Sequence, residues 1–264
     1  MNKPHHCTRQ GFIRALVLLS LGSLAGCSSL LQSAKNQECA LRADQPFDVV
    51  EIDLKRHAVR LFWKQPDGSP FLTLDRVQAW ATAQGDSLIA ATNAGIYEPG
   101  YIPTGLFIED GAVMNPLNLD DGNGNFYLKP NGIFLLTDTG ARIVESSQFE
   151  AVTGPVRYAT QSGPLLVSGG TIHPGFTDGS KNCRLRSGIG VRPDGTVFLA
   201  ISNGAVNFYD FATFFKEQLN CPDALYLDGA ISSLHAPALG RFEGNREKYA
   251  GILGVLSKEK PSRP

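Results

Sequence analysis

Three stretches of this chain bring together residue types that could do chemistry. In residues 224–235, an apolar run ends abruptly on Asp228, then Gly229, then Ser232 and Ser233. A carboxylate at the end of a buried strand, followed by a tight turn, is held rigidly enough to act as a base or nucleophile in a cleft. Residues 91–97 end a second apolar run on Asn93, just before Ala94 and Gly95. Its amide could bond hydroxyls or an anionic oxygen. Residues 184–190 carry Arg184 and Arg186 ahead of a third run. A guanidinium fork suits phosphate oxygens, and Arg186 is the better placed of the two. Each assignment has a plain structural counterpart: a turn-capping Asp, a turn Asn and a surface ion pair.

Further carboxylates are available. Glu98 follows the Asn93 stretch directly and is the first choice for a second carboxylate, against a solvated loop residue. Asp178, in the polar loop 173–182, could sit on a lid. Ser232 and Ser233 could bind an anion or orient Asp228. No Gly-x-Ser-x-Gly elbow supports a serine nucleophile. His235 could assist proton transfer, but a lone histidine beside an apolar run is more often structural. No CxxC or HxxxH spacing supports zinc. The Asp120–Asn125 run lacks the spacing of a calcium loop and reads as a solvated turn. No cofactor is expected, with a divalent cation left as an open alternative.

The chain has 264 residues, 42% apolar and 19% charged, with a net charge of -1. That suits one well-filled core and argues against nonspecific nucleic-acid binding. Residues 1–26 read as a signal peptide: Lys3, Arg9 and Arg14 precede a short apolar run that closes on Leu24-Ala25-Gly26-Cys27. The run is too short for a permanent span. The closing residues resemble a bacterial lipobox, which implies that Cys27 is lipidated. Ser28 in place of Asp then favours the outer membrane, facing the periplasm. Residues 27–45 read as a lipidated tether, 46–258 as the domain and 259–264 as a polar tail. Cys39, Cys183 and Cys221 remain, and one bridge is expected, with Cys183–Cys221 favoured because each precedes a proposed site strand.

The elements that must position these residues are mostly strands. Two alternating runs around residues 55–57 read as a hairpin. Leu74, Val77, Trp80 and Ala81 give a helix capped by Thr73 and stopped near Gly85. Strands are expected over 87–92, 105–108, 125–128, 133–136, 156–161, 164–167 and 250–256. Arg192-Pro193-Asp194-Gly195 turns a hairpin, and Asp210 caps a helix with Phe211, Phe214, Phe215 and Leu219 on one face. The whole reads as a single α+β domain with a large mixed, mostly antiparallel sheet and a few short helices.

Four stretches in order carry a resemblance: Thr92-Asn93-Ala94-Gly95-Ile96-Tyr97, Gln161-Ser162-Gly163-Pro164-Leu165-Leu166, Arg186-Ser187-Gly188-Ile189-Gly190 and Leu227-Asp228-Gly229-x-x-Ser232-Ser233. Over residues 47–256 the chain resembles the phosphodiester glycosidase (uncovering-enzyme-like) family, in an exported bacterial branch. The resemblance implies a hydrolase that releases a sugar from a sugar-1-phosphodiester or related envelope glycoconjugate. Asp228, Glu98 and Arg186 would then be catalytic. Asn93, Gly95, Thr104, Gln161, Ser162, Asp178, Asn203, Gly229, Ser232 and Ser233 would line the substrate site. Ala94, Ile96, Ala230 and Ile231 depart from the family's usual residues, so its N-acetylglucosamine substrate is not assumed for this chain. The implied partners are a carbohydrate or phosphoglycan and, through the lipid, a membrane; the oligomeric state stays open. The competing reading is a non-catalytic envelope lipoprotein that binds glycan or a partner protein.

Overall fold

The computed structural model describes residues 39–229 and 231–259. The proposed signal peptide, Cys27 and most of the tether lie outside them. The first strands are β1 (Ala40–Leu41), β2 (Phe47–Ile52), β3 (His57–Phe62), β4 (Leu88–Asn93), β5 (Tyr97–Glu98), β6 (Ile102–Pro103) and β7 (Phe107–Glu109). There follow β8 (Ala112–Asn115), β9 (Gly132–Thr137), β10 (Gly140–Glu145), β11 (Val156–Ser162), β12 (Leu165–Ser168), β13 (Thr171–Ile172) and β14 (Ser187–Val191). The last are β15 (Val197–Ser202), β16 (Gly204–Ala205), β17 (Asp223–Asp228), β18 (Leu234–Ala236), β19 (Arg241–Phe242) and β20 (Ile252–Ser257). Helix α1 (Leu74–Ala83) follows β3, and α2 (Phe208–Thr213) precedes β17. None of the described helices is long and apolar enough to cross a membrane.

The strands form three main sheets rather than one, ordered β13-β12-β17-β14-β15-β2, β10-β9-β11-β7-β8 and β19-β18-β4-β20-β3. Neighbours in them are antiparallel. The six-stranded sheet is covered on both faces, and its side chains alternate accordingly. Ile189, Leu199 and Leu225 enter the central core on one face. Phe198, Ala200, Ala224 and Tyr226 meet the aromatics of α2 and of the π-helical turn that continues it (Phe214–Gln218) on the other. Gly188 and Gly190 fall on that second face, where a Cβ would come within 3.0 Å and 2.7 Å of Phe215. Their missing side chains let the helix lie against the sheet.

The short-range expectations fare unevenly. Helix α1 forms as expected, with Leu74, Val77 and Ala81 buried, although the Thr73 hydroxyl makes no capping bond. The turn at residues 53–57 forms too, with the Arg56 and His57 amides donating to Asp53 O. It does not make a hairpin: β2 pairs with β15, and β3 pairs with β20. Residues 125–127 form a 3-10 turn around buried Phe126, not a strand. Helix α2 is capped by Asn207, whose side chain accepts from the Asp210 amide, one turn earlier than expected.

The disulfide also differs. Cys39 is bonded to Cys183, with Cα atoms 5.1 Å apart, and Cys221 is a free, buried thiol. Cys39 belongs to a segment read as tether, yet β1 beside it pairs with β16. Cys221 instead packs under Gly190, and burial pushes its thiol up to about 12.

Candidate active site

The site is built where the three sheets meet. Strand β17 brings Asp228 to the end of the six-stranded sheet, opposite Ser187 of β14. The register slips at that pair, leaving Leu227 as an extra residue on β17. Such a bulge bends the strand and re-aims the side chain after it. The chain then turns, with Ser232 N–H donating to Gly229 O at 2.8 Å. It enters the next sheet as β18, which pairs with β4 next to Asn93. Asp228 therefore stands at the crossover between two sheets.

Burial raises the Asp228 carboxyl to about 6, against the pull of the Gly229 N–H that donates to it at 2.6 Å. The plain structural expectation, an Asp holding its own turn, is met. A turn-capping Asp in water would sit below its ordinary pKa, whereas this one is lifted by desolvation. Gly229 is required on steric grounds: a Cβ there would lie 2.5 Å from the Tyr226 hydroxyl.

Asn93 is fully buried, and its amide is the hub of a polar cluster. Its Nδ2 donates to Ser187 Oγ at 3.1 Å, and its Oδ1 accepts from Ser233 N–H at 3.4 Å. Ser232 Oγ lies 2.9 Å from both Ser187 Oγ and Asp228 O. The Ser233 carbonyl accepts from Thr92 Oγ1 at 2.8 Å. Ser162 closes the cluster from the third sheet by donating to Leu227 O at 3.1 Å. Gly95 lies in the left-handed region, at φ 139°, where a side chain would meet Gln161 O and Thr160 Oγ1 at 3.2 Å. Asn93, Gly95, Ser162, Asp228, Gly229, Ser232 and Ser233 are thus brought together.

Arg186 takes a position that neither expectation foresaw. It is buried rather than paired at the surface, and its guanidinium lies 3.5 Å from the Phe208 ring centroid. Nε donates to Val206 O at 2.8 Å, and a terminal nitrogen donates to Asn182 O at 2.9 Å. Its side-on fork is therefore already engaged by main-chain oxygens. Burial lowers its pKa, and the Tyr226 hydroxyl, which hydrogen-bonds to it, opposes that. Among the described residues no carboxylate forms an ion pair with it. Phe208 continues the stack through Phe176 to His173, with centroids 4.8 Å and 4.6 Å apart.

The remaining expected residues lie elsewhere or are otherwise engaged. Glu98 is exposed on the small β5–β6 hairpin and accepts from Thr104 Oγ1 at 3.2 Å. Asp178 is exposed in a turn with Gly179. Gln161 has both amide groups engaged: it accepts from the Leu106 and Asn118 amides and donates to Asn118 O and Ser146 Oγ. It braces a loop and has no group left for a ligand. Asn203 accepts from Arg241 at 2.8 Å, in a network with Asp48 and Glu243. His235 is buried on β18 with both ring nitrogens unpartnered.

Sequence reasoning did not single out Ser187 or three tyrosines. Tyr226 is buried, and desolvation raises its hydroxyl; the Arg186 charge opposes this and Asp228 adds to it. Tyr97 is pushed up to about 12, first by burial and then by Asp228. Tyr249 is raised by burial too, and its hydroxyl donates to Ile231 O at 2.8 Å. All three feel the Asp228 charge. In strand patterns they read as core, and only the interruption of an apolar run by a phenol marks Tyr226.

The chain is 34% identical over 246 residues to the uncharacterized protein YigE of Escherichia coli K12, covering 92% of this chain and 91% of that one. Its fold is similar to the zebrafish N-acetylglucosamine-1-phosphodiester alpha-N-acetylglucosaminidase catalytic domain, at a TM-score of 0.52 and 16% identity, covering 84% and 86% of the two chains. A sequence model of the phosphodiester glycosidase family matches residues 86–251, which hold Asn93, Ser187 and Asp228. The chain belongs to the phosphodiester glycosidase family.

Proposed function

We propose that the protein is a hydrolase that releases a sugar from a sugar-1-phosphodiester or a related envelope glycoconjugate. One observation carries this reading: the Arg186 guanidinium lies 5.5 Å from the Tyr226 ring centroid and the Tyr226 hydroxyl lies against Gly229, next to the desolvated carboxylate of Asp228, while no carboxylate among the described residues pairs with Arg186. A sugar phosphodiester is complementary to that pair. Its anomeric carbon gains positive charge as the bond to phosphate breaks, which suits a carboxylate. Its phosphate is anionic and would supply the counter-charge that Arg186 lacks. The phosphate is also a good leaving group, so catalysis needs little help from a second acid.

In this mechanism Asp228, ionised above pH 6, attacks the anomeric carbon or takes a proton from the attacking water. Asn93, Ser187 and Ser232 hold its loop and can bond sugar hydroxyls. Arg186, buried beside Tyr226, supplies positive charge on the phosphate's side of the site. The chain acts in the cell envelope, carried there by the signal peptide and held by lipid on Cys27. The lipobox pattern and Ser28 support that location.

The test is the release of sugar from a synthetic α-N-acetylglucosamine-1-phosphodiester and its glucose counterpart, with Asp228→Asn beside the natural protein. Release by the natural protein and loss in the variant supports the reading. Tight binding of envelope glycan with no release from any phosphodiester would show a binding protein instead.

A further inference from the structure

On the face of the molecule formed by β3, α1 and the β7–β8 turn lies a cavity of about 320 Å³. That is the size of a pocket for a small ligand. Its walls include Phe71, Trp80 and Tyr158, and its polar groups include Arg60, Lys64 and Glu109. None of these belongs to the Asp228 cluster.

Two features of the cavity are unexplained by the fold. First, neither Arg60 nor Lys64 forms an ion pair among the described residues. Arg60 lies 6.0 Å from the Trp80 ring centroid, and Lys64 Nζ lies 4.4 Å from that of Trp63. Arg60 is thus held over an aromatic wall of the cavity, and Lys64, exposed at its rim, over neighbouring Trp63; neither has a carboxylate partner among the described residues. Second, Glu109 is half-buried in the same lining, and among the described residues its side chain accepts one hydrogen bond, a long one of 3.3 Å from Trp63 N–H. Burial lifts it to about 7. The neighbouring acid, Asp110, is already occupied by Arg157 at 3.0 Å.

From this arrangement we infer that the cavity is a binding site for an anionic sugar, with its charged group on Arg60 and Lys64 and its ring against Trp80. The apolar C–H face of a pyranose fits an aromatic wall, its hydroxyls suit a carboxyl that can both donate and accept, and its carboxylate or phosphate meets the two free cations. A neutral sugar would leave the cations unpaired, and a bare anion would leave the aromatic wall unused.

Trp80 lines this cavity and Lys64 lies over Trp63, the chain's other tryptophan, so intrinsic fluorescence reports on both cations. The experiment titrates the protein with glucuronate, glucose 6-phosphate, glucose and inorganic phosphate in parallel. A saturable change with either anionic sugar is expected, at least about tenfold tighter than with glucose or phosphate, as charge-assisted hydrogen bonds predict. The arm that responds identifies the anion as carboxylate or phosphate. Arg60→Ala and Lys64→Ala should each weaken binding by about tenfold and leave sugar release at the Asp228 site unchanged. No saturable change with either anionic sugar would overturn the inference. So would equal affinity for glucose or for phosphate alone, or unaltered affinity in both variants.

Discussion

Asn93 of β4 and Ser187 of β14 belong to different sheets, yet their side chains exchange hydrogen bonds at 3.1 and 3.3 Å. Ser187 also receives Ser232 at 2.9 Å and faces Asp228 across the ladder. One hydroxyl thus fixes the turn that carries the proposed catalytic carboxylate. Ser187→Ala should lower kcat roughly tenfold to a hundredfold, as a small misplacement of a reacting group does, with KM little changed. Steady-state kinetics checks the split. A fall in melting temperature alone, with kcat intact, would reduce Ser187 to a packing role.

Asp228 predicts two opposite trends with pH. If its ionised form reacts, kcat/KM should fall about tenfold per unit as pH drops below about 6. Stability should move the other way. The folded state holds this proton more tightly than the unfolded chain, so stability is lost as pH rises from 3.8 through about 6. Asp228→Asn should therefore be inactive yet more stable than the natural protein at neutral pH, by on the order of 3 kcal/mol. Thermal melts across pH 3 to 8 would show the advantage vanish below about pH 4, where both states are protonated.

The buried Arg241–Asp48 pair, at 2.6 Å, joins β19 to β2 and so ties two of the sheets together. Its two side chains are only 17% and 7% exposed. Arg241 keeps Glu243 as a second partner at 2.7 Å, whereas Asp48 has no other ion-pair partner among the described residues, so removing Arg241 strands the Asp48 charge in a poorly solvated place. Arg241→Gln should cost about 3 kcal/mol or more in urea unfolding, and Asp48→Asn, which leaves Arg241 its bond to Glu243, less. A change below about 0.5 kcal/mol would mean that the pair behaves like a surface contact.

Non-reducing peptide mapping should find Cys39 linked to Cys183 and Cys221 unlinked. Cys221 should resist thiol reagents in the native state, since it is buried and held up to about 12. The bridge closes a sequence separation of 144 residues, so reduction should lower stability by about 2–4 kcal/mol. A Cys183–Cys221 peptide, or a melt indifferent to reductant, would contradict the structure.

How far the sequence could be read depended on the range of the interaction involved. Local chemistry was legible: the 3.6-residue spacing of Leu74, Val77 and Ala81 gave α1, and the run ending on Asp228 gave β17. The turn at Asp53–His57 was legible as a turn, but not its partners, because turn residues say where a chain bends and not which sheet edge it joins. Arg186 could be picked out but not placed. Its guanidinium is fixed by Val206, Asn182 and Phe208, and no spacing rule links those positions to it. Gln161 fits the family pattern yet is fully engaged by backbone groups from residues 106 and 118 and by the Ser146 hydroxyl. Ser187 was hidden by its size: one small hydroxyl before an apolar strand looks like filler until Asn93 arrives from another sheet.

The Cys39–Cys183 bridge has a mechanical consequence. Strand β1, just after Cys39, holds on to β16 through only two residue pairs, which would peel under a modest pull. A tug transmitted along the chain from ahead of Cys39 reaches the covalent bond first, and passes into the 182–186 segment that anchors Arg186. For a protein tethered at its N-terminal end, the load would therefore be borne at the edge of the proposed site, by a bond that does not creep.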